Sequence, residues 1–366
     1  MIKDESEKLY YIGGVVRDKI LGKPSLDVDL TYEGNAIEFV KNLEGIEIVK
    51  INKPFGTVRV ISDGKEIDIA STRAEIYEKP GHLPVVTKIG CDLKEDVLRR
   101  DFTINAMAEK FNTGEIVDYT GGLKDIENKL LRVLHDKSFI DDPTRILRAL
   151  KFSVRFGFEL EEHTKFLRDE YLKNINYDMS YKRVKKELIE TFNLNSQNAY
   201  DEFIYAGIYK LVTEKQTERP VENIENLVSR YKNLIDSKNI WLIYIGTLPD
   251  LSKLELTKDE QKIVNDLKSV LPLELKTDFE IYKAFEKCRV ETIILYAVLK
   301  NRRIAEHYIN DLMGVKLIIT GEDLRKLGIK PSVRYQECFD YILNKKLSDL
   351  SISYADEIEI AKEFFS

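Results

Sequence analysis

Apolar and polar residues alternate with a period of two in several short runs of the first 120 residues, each set off by glycine. Ile46 to Ile51, Gly56 to Ile61 and Lys65 to Ala70 are such runs, and they predict strands. Two other stretches, Gly14 to Gly22 and Ala36 to Leu43, carry apolar residues at helical spacing. From about Asp125 the character changes. Ile146, Leu147, Leu150 and Val154 recur at helical spacing, glycine becomes scarce, and the chain reads as mostly helical to residue 366. The pattern predicts an α+β fold, with a mixed α/β region first and a helical array after it. Segments rich in Pro or Gly are absent, so no long flexible linker is expected, and no repeat of fixed period is visible.

At 366 residues the chain has room for two or more domains. A hydrophobic content of 43% with 33% charged residues fits a soluble globular protein and excludes a disordered one. The longest apolar runs, Ile240 to Ile245 and Ile293 to Leu299, fall far short of the roughly 20 residues that span a bilayer. The first seven residues are charged and lack the apolar stretch of a signal peptide, so no membrane partner and a cytoplasmic location are expected. Cys91, Cys288 and Cys338 are odd in number and widely spaced, which argues against a disulfide partner and against a zinc site.

The net charge of −6 looks wrong for a nucleic-acid binder, so its distribution matters. Residues 1–160 hold 25 Lys and Arg against 28 Asp and Glu, and the remainder holds 32 against 35, so neither part is a basic arm. Contact with RNA has to come from local clusters, such as Lys182-Arg183-Val184-Lys185-Lys186 or Arg302-Arg303.

Three blocks carry candidate chemistry. The first runs from Tyr11 to Thr31 and sets Asp27-Val28-Asp29 thirteen residues beyond Gly13-Gly14. On a strand, residues 27 and 29 point to the same side, and magnesium-dependent phosphoryl transfer needs carboxylates converging in that way. The glycine pair supplies a turn whose N–H groups can approach phosphate, and it lacks the third glycine of a dinucleotide-binding loop. Arg17 and Asp18 lie between the two features. Asp68, flanked by Ile67 and Ile69 on a separate predicted strand, offers a third carboxylate. It can serve as a metal ligand, as a base for an attacking hydroxyl, or as a plain exposed strand residue.

The second block, Arg99 to Ala108, puts two guanidiniums suited to phosphate or a base edge beside Asp101. Asp101 can accept from a ribose hydroxyl or cap a helix. The third block, Asp141 to Phe158, places Pro143 in the first turn of a helix capped by Asp142 or Asp141. These aspartates stand three and four residues before Arg145 and can share its face. A carboxylate acceptor beside a guanidinium donor can read a nucleobase edge, or the same pair can be a surface salt bridge contributing about 0–1 kcal/mol. Between the first two blocks, Arg73 to Pro84 has turn residues and charge but little periodicity, and reads as a mobile loop.

Together the three blocks resemble the class II tRNA nucleotidyltransferases and the related bacterial poly(A) polymerases. The likeness covers Tyr11 to Phe158 and extends to Thr320 to Pro331. It implies a nucleotidyltransferase head of the DNA polymerase beta type over residues 1–124. A helical neck with a base template over 125–190 and an RNA-binding helical body and tail over 191–366 would follow. The resemblance implies that Asp27 and Asp29 hold two Mg2+ ions, with Asp68 kept beside them as a candidate catalytic carboxylate. Gly13 and Gly14 would sit near the triphosphate, Arg100 near the nucleotide, and Asp101 against the ribose hydroxyl. Arg17 and Asn105, inside the same motifs, are counted with this nucleotide-binding set. Asp142 and Arg145 would pair with the incoming base, and Arg148, one turn further on, would reach toward the phosphates. The loop at 73–84 would take part in the switch from C to A addition. Three departures stand out: Asp141-Asp142 where the family often has Glu-Asp, Lys151 where many members have arginine, and Ser332 where a glycine is usual.

The implied reaction is template-independent addition of CCA to the 3′ end of tRNA from CTP and ATP, with release of pyrophosphate. Addition of CC only, of A only, or of poly(A) shares all these motifs. A non-catalytic RNA-binding relative would be expected to lack one metal carboxylate, and both are present. A metal phosphohydrolase, suggested by His135-Asp136, would need more grouped ligands, and His82, His163 and His307 show no suitable spacing.

Overall fold

The computed structural model describes residues 7–24, 29–62, 64–217 and 219–366, so Asp27 lies outside the described residues. The chain forms two compact units, one of residues 1–220 with 250–255 and one of residues 221–249 with 256–366.

In the first unit β1 (Leu9–Ile12) turns at Gly13 into α1 (Gly14–Ile20) and is followed by β2 (Asp29–Tyr32) and α2 (Ala36–Lys41). Next come β3 (Glu47–Asn52), β4 (Thr57–Ser62), β5 (Lys65–Ser71), β6 (Arg73–Ile76) and β7 (Val85–Ile89). The head closes with α3 (Leu93–Leu98), β8 (Met107–Lys110), β9 (Ile116–Asp118) and α4 (Gly122–Glu127). Seven strands make one sheet in the order β3-β4-β5-β2-β1-β8-β9. Within it β2 and β5 run parallel and the other pairs antiparallel. The three predicted strands are β3, β4 and β5, and the two predicted helices are α1 and α2.

The period-2 alternation decides what each face of the sheet meets. Leu9, Leu30, Val58, Val60 and Ile69 pack with Ala36 and Val40 of α2, while Tyr10, Ile12 and Ala108 pack with Leu93 and Val97 of α3. Each such Leu, Ile or Val contributes about 1.5–3 kcal/mol on burial. Because Leu30 and Ile69 face α2, their neighbours Asp29 and Asp68 face the other side, and the strand register sets these two aspartates opposite one another.

Residues 73–84 are not a loop throughout, which corrects the expectation from the sequence. Arg73–Ile76 forms β6 and pairs antiparallel with β7, whose β-branched Val85-Val86-Thr87 supplies a strand partner. What remains is a strap, residues 77–84, joining the two strands.

Beyond the head, β10 (Leu130–Leu131) pairs in parallel with β11 (Glu159–Leu160), and between them lie α5 (Ser138–Asp141) and α6 (Thr144–Phe156). Then come α7 (Glu162–Lys173), α8 (Tyr181–Phe192) and α9 (Gln197–Tyr205). Asp142 caps α6 as expected, its Oδ1 accepting from Thr144 N at 3.1 Å and Thr144 Oγ1 at 2.6 Å. Gly157 ends the helix in the left-handed conformation at φ 71°. Ile146, Leu147 and Leu150 are buried on α6, which packs on α8 and α9.

The second unit is helical. It contains α10 (Ile224–Arg230), α11 (Ile240–Ile245), α12 (Lys258–Val270), α13 (Asp278–Phe285), α14 (Val290–Leu299) and α15 (Arg302–His307). The chain then runs through α16 (Gly321–Lys326), α17 (Arg334–Ser348) and α18 (Tyr354–Phe365). The two apolar runs of the sequence become α11 and most of α14, and α16 begins at a capping box between Thr320 and Asp323. Among the described residues no helix is long and apolar enough to cross a membrane.

Candidate active site

Gly13 joins β1 to α1 with φ 72°, and a Cβ there would lie 2.9 Å from Nη1 of Arg100 and 3.5 Å from the carbonyl of Asn105. The positive φ is what calls for glycine at this turn. Gly14 begins α1, a short helix whose first turn contains no acidic residue. The turn opens on a cleft of about 720 Å3, lined by every described member of the predicted site set except Asp68. Gly13, Gly14, Arg17 and Asp29 lie on one side of the chain order, then Arg100, Asp101 and Asn105, then Asp142, Arg145 and Arg148. Three segments far apart in sequence therefore meet at one place.

Within the cleft the charged groups are held by one another. Arg17 is buried, donates to Asp18 Oδ1 through Nε at 2.9 Å and Nη2 at 2.7 Å, and donates through Nη1 to Asn105 Oδ1. Its guanidinium lies 4.5 Å from the Phe156 ring centre and 5.2 Å from that of Phe152. Burial lowers its pKa, with Asp18 opposing the shift. Asn105 Nδ2 donates in turn to Asp101 Oδ1 at 3.0 Å, and Arg148 donates to Asp101 Oδ2 through Nε at 2.8 Å and Nη2 at 2.7 Å. Burial would raise the Asp101 pKa, yet Arg148, Asn105 and Arg145 outweigh it and hold the carboxyl at about 2. Arg148 reaches onward to Glu187 Oε1 on α8 at 3.3 Å. Burial lowers the Arg148 pKa, but Asp101 and Glu187 raise it further.

Arg100 donates through Nη2 to buried Asp96 at 3.1 Å, while its own buried Nε has no hydrogen-bond partner. Burial pushes the Asp96 pKa up, and Arg100 with Arg99 more than reverses that. Arg99 is committed elsewhere, to Asp96, to Glu75 at 3.0 Å and to the Arg73 carbonyl.

The sequence spacing left Asp142 and Arg145 free to be a surface ion pair, and the structure rules that out. Both are 4% exposed, and they bind different partners. Arg145 donates through Nη1 to Ser138 Oγ at 2.6 Å and through Nη2 to the Arg99 carbonyl at 3.1 Å, with the Tyr77 hydroxyl at 3.5 Å. Asp142 Oδ2 accepts from Arg183 of α8. Asp141 stands apart from the cleft lining, 4.0 Å from His135.

Asp68 lines an adjoining cleft of about 460 Å3 that shares Gly14, Asp29, Arg99 and Arg100 with the first. Its carboxylate is bound bidentately by Arg59, at 2.7 Å for both contacts. Among the described residues no group of three His, Cys, Asp or Glu side chains is arranged to hold a metal ion. Asp29 and Asp68 are nevertheless hard oxygen donors facing the same side of a parallel strand pair, and that chemistry suits a divalent cation such as Mg2+. Such an ion would meet Asp29 at the shared border of the two clefts and would compete with Arg59 for Asp68.

Several cleft residues were given no role from the sequence: Tyr77, Phe152, Arg155 and Glu187, while Lys151 was noted only as a departure from the family pattern. Arg183 stood out only as part of a basic run. Among the described residues, eight Arg and Lys side chains against six carboxylates line the cleft, a local surplus of positive charge in a chain of net charge −6. The cluster is invisible in any short window because its members span residues 17–183. One signal was available: Arg183, Glu187 and Glu190 fall on one helix face at spacings of four and three.

The chain is similar to known proteins along most of its length. Residues 9–132 match the model of the poly(A) polymerase head domain. The A-adding tRNA nucleotidyltransferase of Geobacter sulfurreducens is 32% identical over 98% of this chain, which spans only 46% of that protein's length. The A-adding tRNA nucleotidyltransferase of Halalkalibacterium halodurans is 29% identical over 98% of the chain and 89% of its own. Among solved structures, a CCA-adding enzyme in its apo form II superposes with a TM-score of 0.82 at 28% identity, covering 97% of this chain and 91% of that one. The Thermotoga maritima CCA-adding enzyme complexed with tRNA gives 0.78 at 29% identity, over 98% and 90%. A CCA-adding enzyme solved with ATP also gives 0.78, at 28% identity over 98% and 90%. The matched head domain contains the glycine turn and the paired aspartate strands, and the likeness continues through the helices beyond it: the chain belongs to the family of tRNA nucleotidyltransferases and poly(A) polymerases.

Proposed function

We propose that this chain is a template-independent nucleotidyltransferase that adds C and A to the 3′ end of tRNA from CTP and ATP. In this reading residues 1–124 are the catalytic head, 125–190 the neck that carries the base template, and 191–366 the RNA-binding body and tail. The observation that carries it is the meeting of Gly13-Gly14, Asp29, Asp101 and the Asp142/Arg145 couple in one positively charged cleft. Those groups suit, in order, a triphosphate, a divalent cation, a ribose hydroxyl and a base edge. Asp27 and Asp29 would hold Mg2+, which when bound supplies charge neutralisation at the reacting phosphate and acidifies the attacking hydroxyl. The protein's own groups contribute position and field. Gly13 lets the backbone come close to phosphate, Arg100 carries an unpaired buried N–H beside it, and Asp101, held ionised by Arg148, can accept from a hydroxyl.

A second reading, addition of the terminal A alone, is favoured by the names of the Geobacter and Halalkalibacterium relatives. The experiment that tests both is a product assay on tRNA transcripts ending before the CCA sequence and after CC, with CTP and ATP given singly and together. Extension of both substrates to CCA supports the first reading, and extension of the CC-ending substrate alone supports the second. A long A tract would mean poly(A) synthesis, and no extension of any RNA would overturn the proposal.

A further inference from the structure

The two groups assigned to the base are held by different partners, and one of those partners lies outside the three sequence blocks. Arg183, on α8, donates through Nη2 to Asp142 Oδ2 and to Thr144 Oγ1 at 3.3 Å. Its Nη1 donates to the carbonyl of His82 in the strap at 3.3 Å. Asp142 is 4% exposed and its Oδ1 is used in capping α6. Arg145 gives its hydrogen bonds to Ser138, Arg99 and Tyr77. The Asp142 carboxylate is therefore ion-paired with Arg183, and the guanidinium settles where its Oδ2 points.

The strap that Arg183 touches is itself pinned between the two helices that flank the base-reading groups. Gly81 N donates to the Asp141 carbonyl at 2.9 Å, just before α6, and the Gly81 carbonyl accepts from Ser180 N at 3.0 Å, just before α8. Gly81 has φ +80°, and a Cβ there would come within 2.8 Å of the Met179 Cβ, so the strap can lie this close only with glycine. Lys79 and His82 both bind Asp178, at 2.9 and 3.1 Å.

We infer that Arg183 is a positioning residue for nucleotide selectivity. It holds the Asp142 carboxylate in a fixed direction and charge environment, and it ties that direction to the strap through His82. This rests on the reading of Asp142 and Arg145 as the groups that face the base. A planar fork that binds a carboxylate and a carbonyl at once is a role lysine fills only in part, because a single ammonium cannot reproduce both directions.

The test uses the purified full chain, a tRNA transcript ending in CC, and each of ATP, CTP, GTP and UTP in separate single-nucleotide additions, with kcat and KM measured for each. Arg183→Ala is expected to reduce the preference for the best nucleotide over the other three about tenfold, toward the lower end of the range for one lost base-edge contact. Arg183→Lys is expected to recover part of that preference. In an Asp142→Asn background, removing Arg183 is expected to change the preference less than about twofold, because the two residues act as one unit. Should Arg183→Ala fail to fold, as judged by circular dichroism and melting, Arg183→Gln keeps an uncharged donor on a shorter side chain and carries the same expectation. An equal loss for all four nucleotides, with their ratios intact, would show a merely structural role and overturn the inference. If Asp142→Asn and Arg145→Ala lose selectivity while the Arg183 variants keep it, the inference alone falls. Wild-type selectivity in Asp142→Asn and Arg145→Ala would remove the base-reading proposal and this inference together.

Discussion

In the C-terminal helices, Glu357 of α18 is completely buried, on the same helix as Ile360 and Ala361 of the apolar core that also holds Leu324, Cys338 and Ile342. One of its oxygens binds Lys346 of α17, and the other accepts from Ile318 N at 2.8 Å and Ile319 N at 2.7 Å. In the cleft of the first unit, Asp101 is buried in much the same way and is bound by Asn105, Phe102 N and Arg148. The two carboxylates differ in what lies beyond their partners. Lys346 is itself 8% exposed, so the tail pair is closed, with one cation matching one anion inside a core. Arg148 leads on to Glu187, Glu187 to Lys151, and the described residues of the cleft wall include more cations than anions. A closed buried pair is costly to the fold when one partner is removed and presents no charge outward, whereas a surplus of oriented cations at an open wall attracts polyanions. Buried charge alone does not mark a site; the remainder after pairing does.

The comparison breaks most sharply at Asp29. It is exposed at the border of two clefts, so Asp29→Ala should leave thermal stability within about 0.5 kcal/mol of wild type. Nucleotide incorporation should fall roughly a hundredfold to a thousandfold, the scale seen when a group stabilising transition-state charge is lost. Single-turnover incorporation with labelled ATP or CTP measures it. A loss of only a few-fold would take the metal role away from Asp29 and with it the functional meaning of the cleft.

Glu357→Ala is the converse. It leaves Lys346 unpaired and the N–H groups of Ile318 and Ile319 without their acceptor, so stability to urea should drop by about 3–5 kcal/mol. The preference among nucleotides should not change. A shift in selectivity without a loss of stability would mean that the tail pair is not the closed structural element described above.

Arg145→Ala is intermediate. Removing a guanidinium that faces a base should cost about 1–3 kcal/mol of discrimination among the four nucleotides, with a smaller effect on triphosphate affinity. The ratio of kcat/KM values across ATP, CTP, GTP and UTP reads this directly. Equal ratios in variant and wild type would confine Arg145 to its bonds with Ser138 and the Arg99 carbonyl.

These outcomes depend on features that were unequally visible in the sequence. The strands at 47–52, 57–62 and 65–71 follow from local alternation, and the placement of Asp29 and Asp68 on one side follows from the apolar Leu30 and Ile69 beside them. The cap of α6 was legible for the same reason, because it depends on residues two apart. Pairing across longer distances was not. Asp142 and Arg145 are spaced like a helical pair, but Asp142 sits at φ −142°, outside the helix, so its side chain turns back to Thr144 and not along the helix face. Its true partner, Arg183, is 41 residues away on another helix. Likewise β6 was hidden because a strand of four residues has little pattern of its own until its partner β7 is known.

The smallest effect expected lies in the second unit, at His307. Its Nδ1 faces Asp311 at 2.7 Å and its Nε2 faces Asp278 at 2.9 Å, and these two hydrogen bonds raise its pKa above the ordinary value despite some burial. The sign follows from linkage. A raised folded-state pKa means that the protonated form is favoured in the fold, so the contribution is fully present below the unfolded value of about 6.5 and is lost as pH rises through the folded one. With the imidazole about one-third exposed (35%), solvent screening keeps this well under 1 kcal/mol. Urea unfolding at pH 5.5 and pH 8.5 should therefore show wild type gaining slightly more at the acidic end than His307→Gln does. Unlike the charges at the cleft wall, this cation is enclosed by two carboxylates, so its loss should leave RNA extension at either pH unchanged relative to wild type. If extension instead fell in step with His307 titration, the second unit would carry a working charge of its own, and the contrast between closed pairs and the open wall would have to be redrawn.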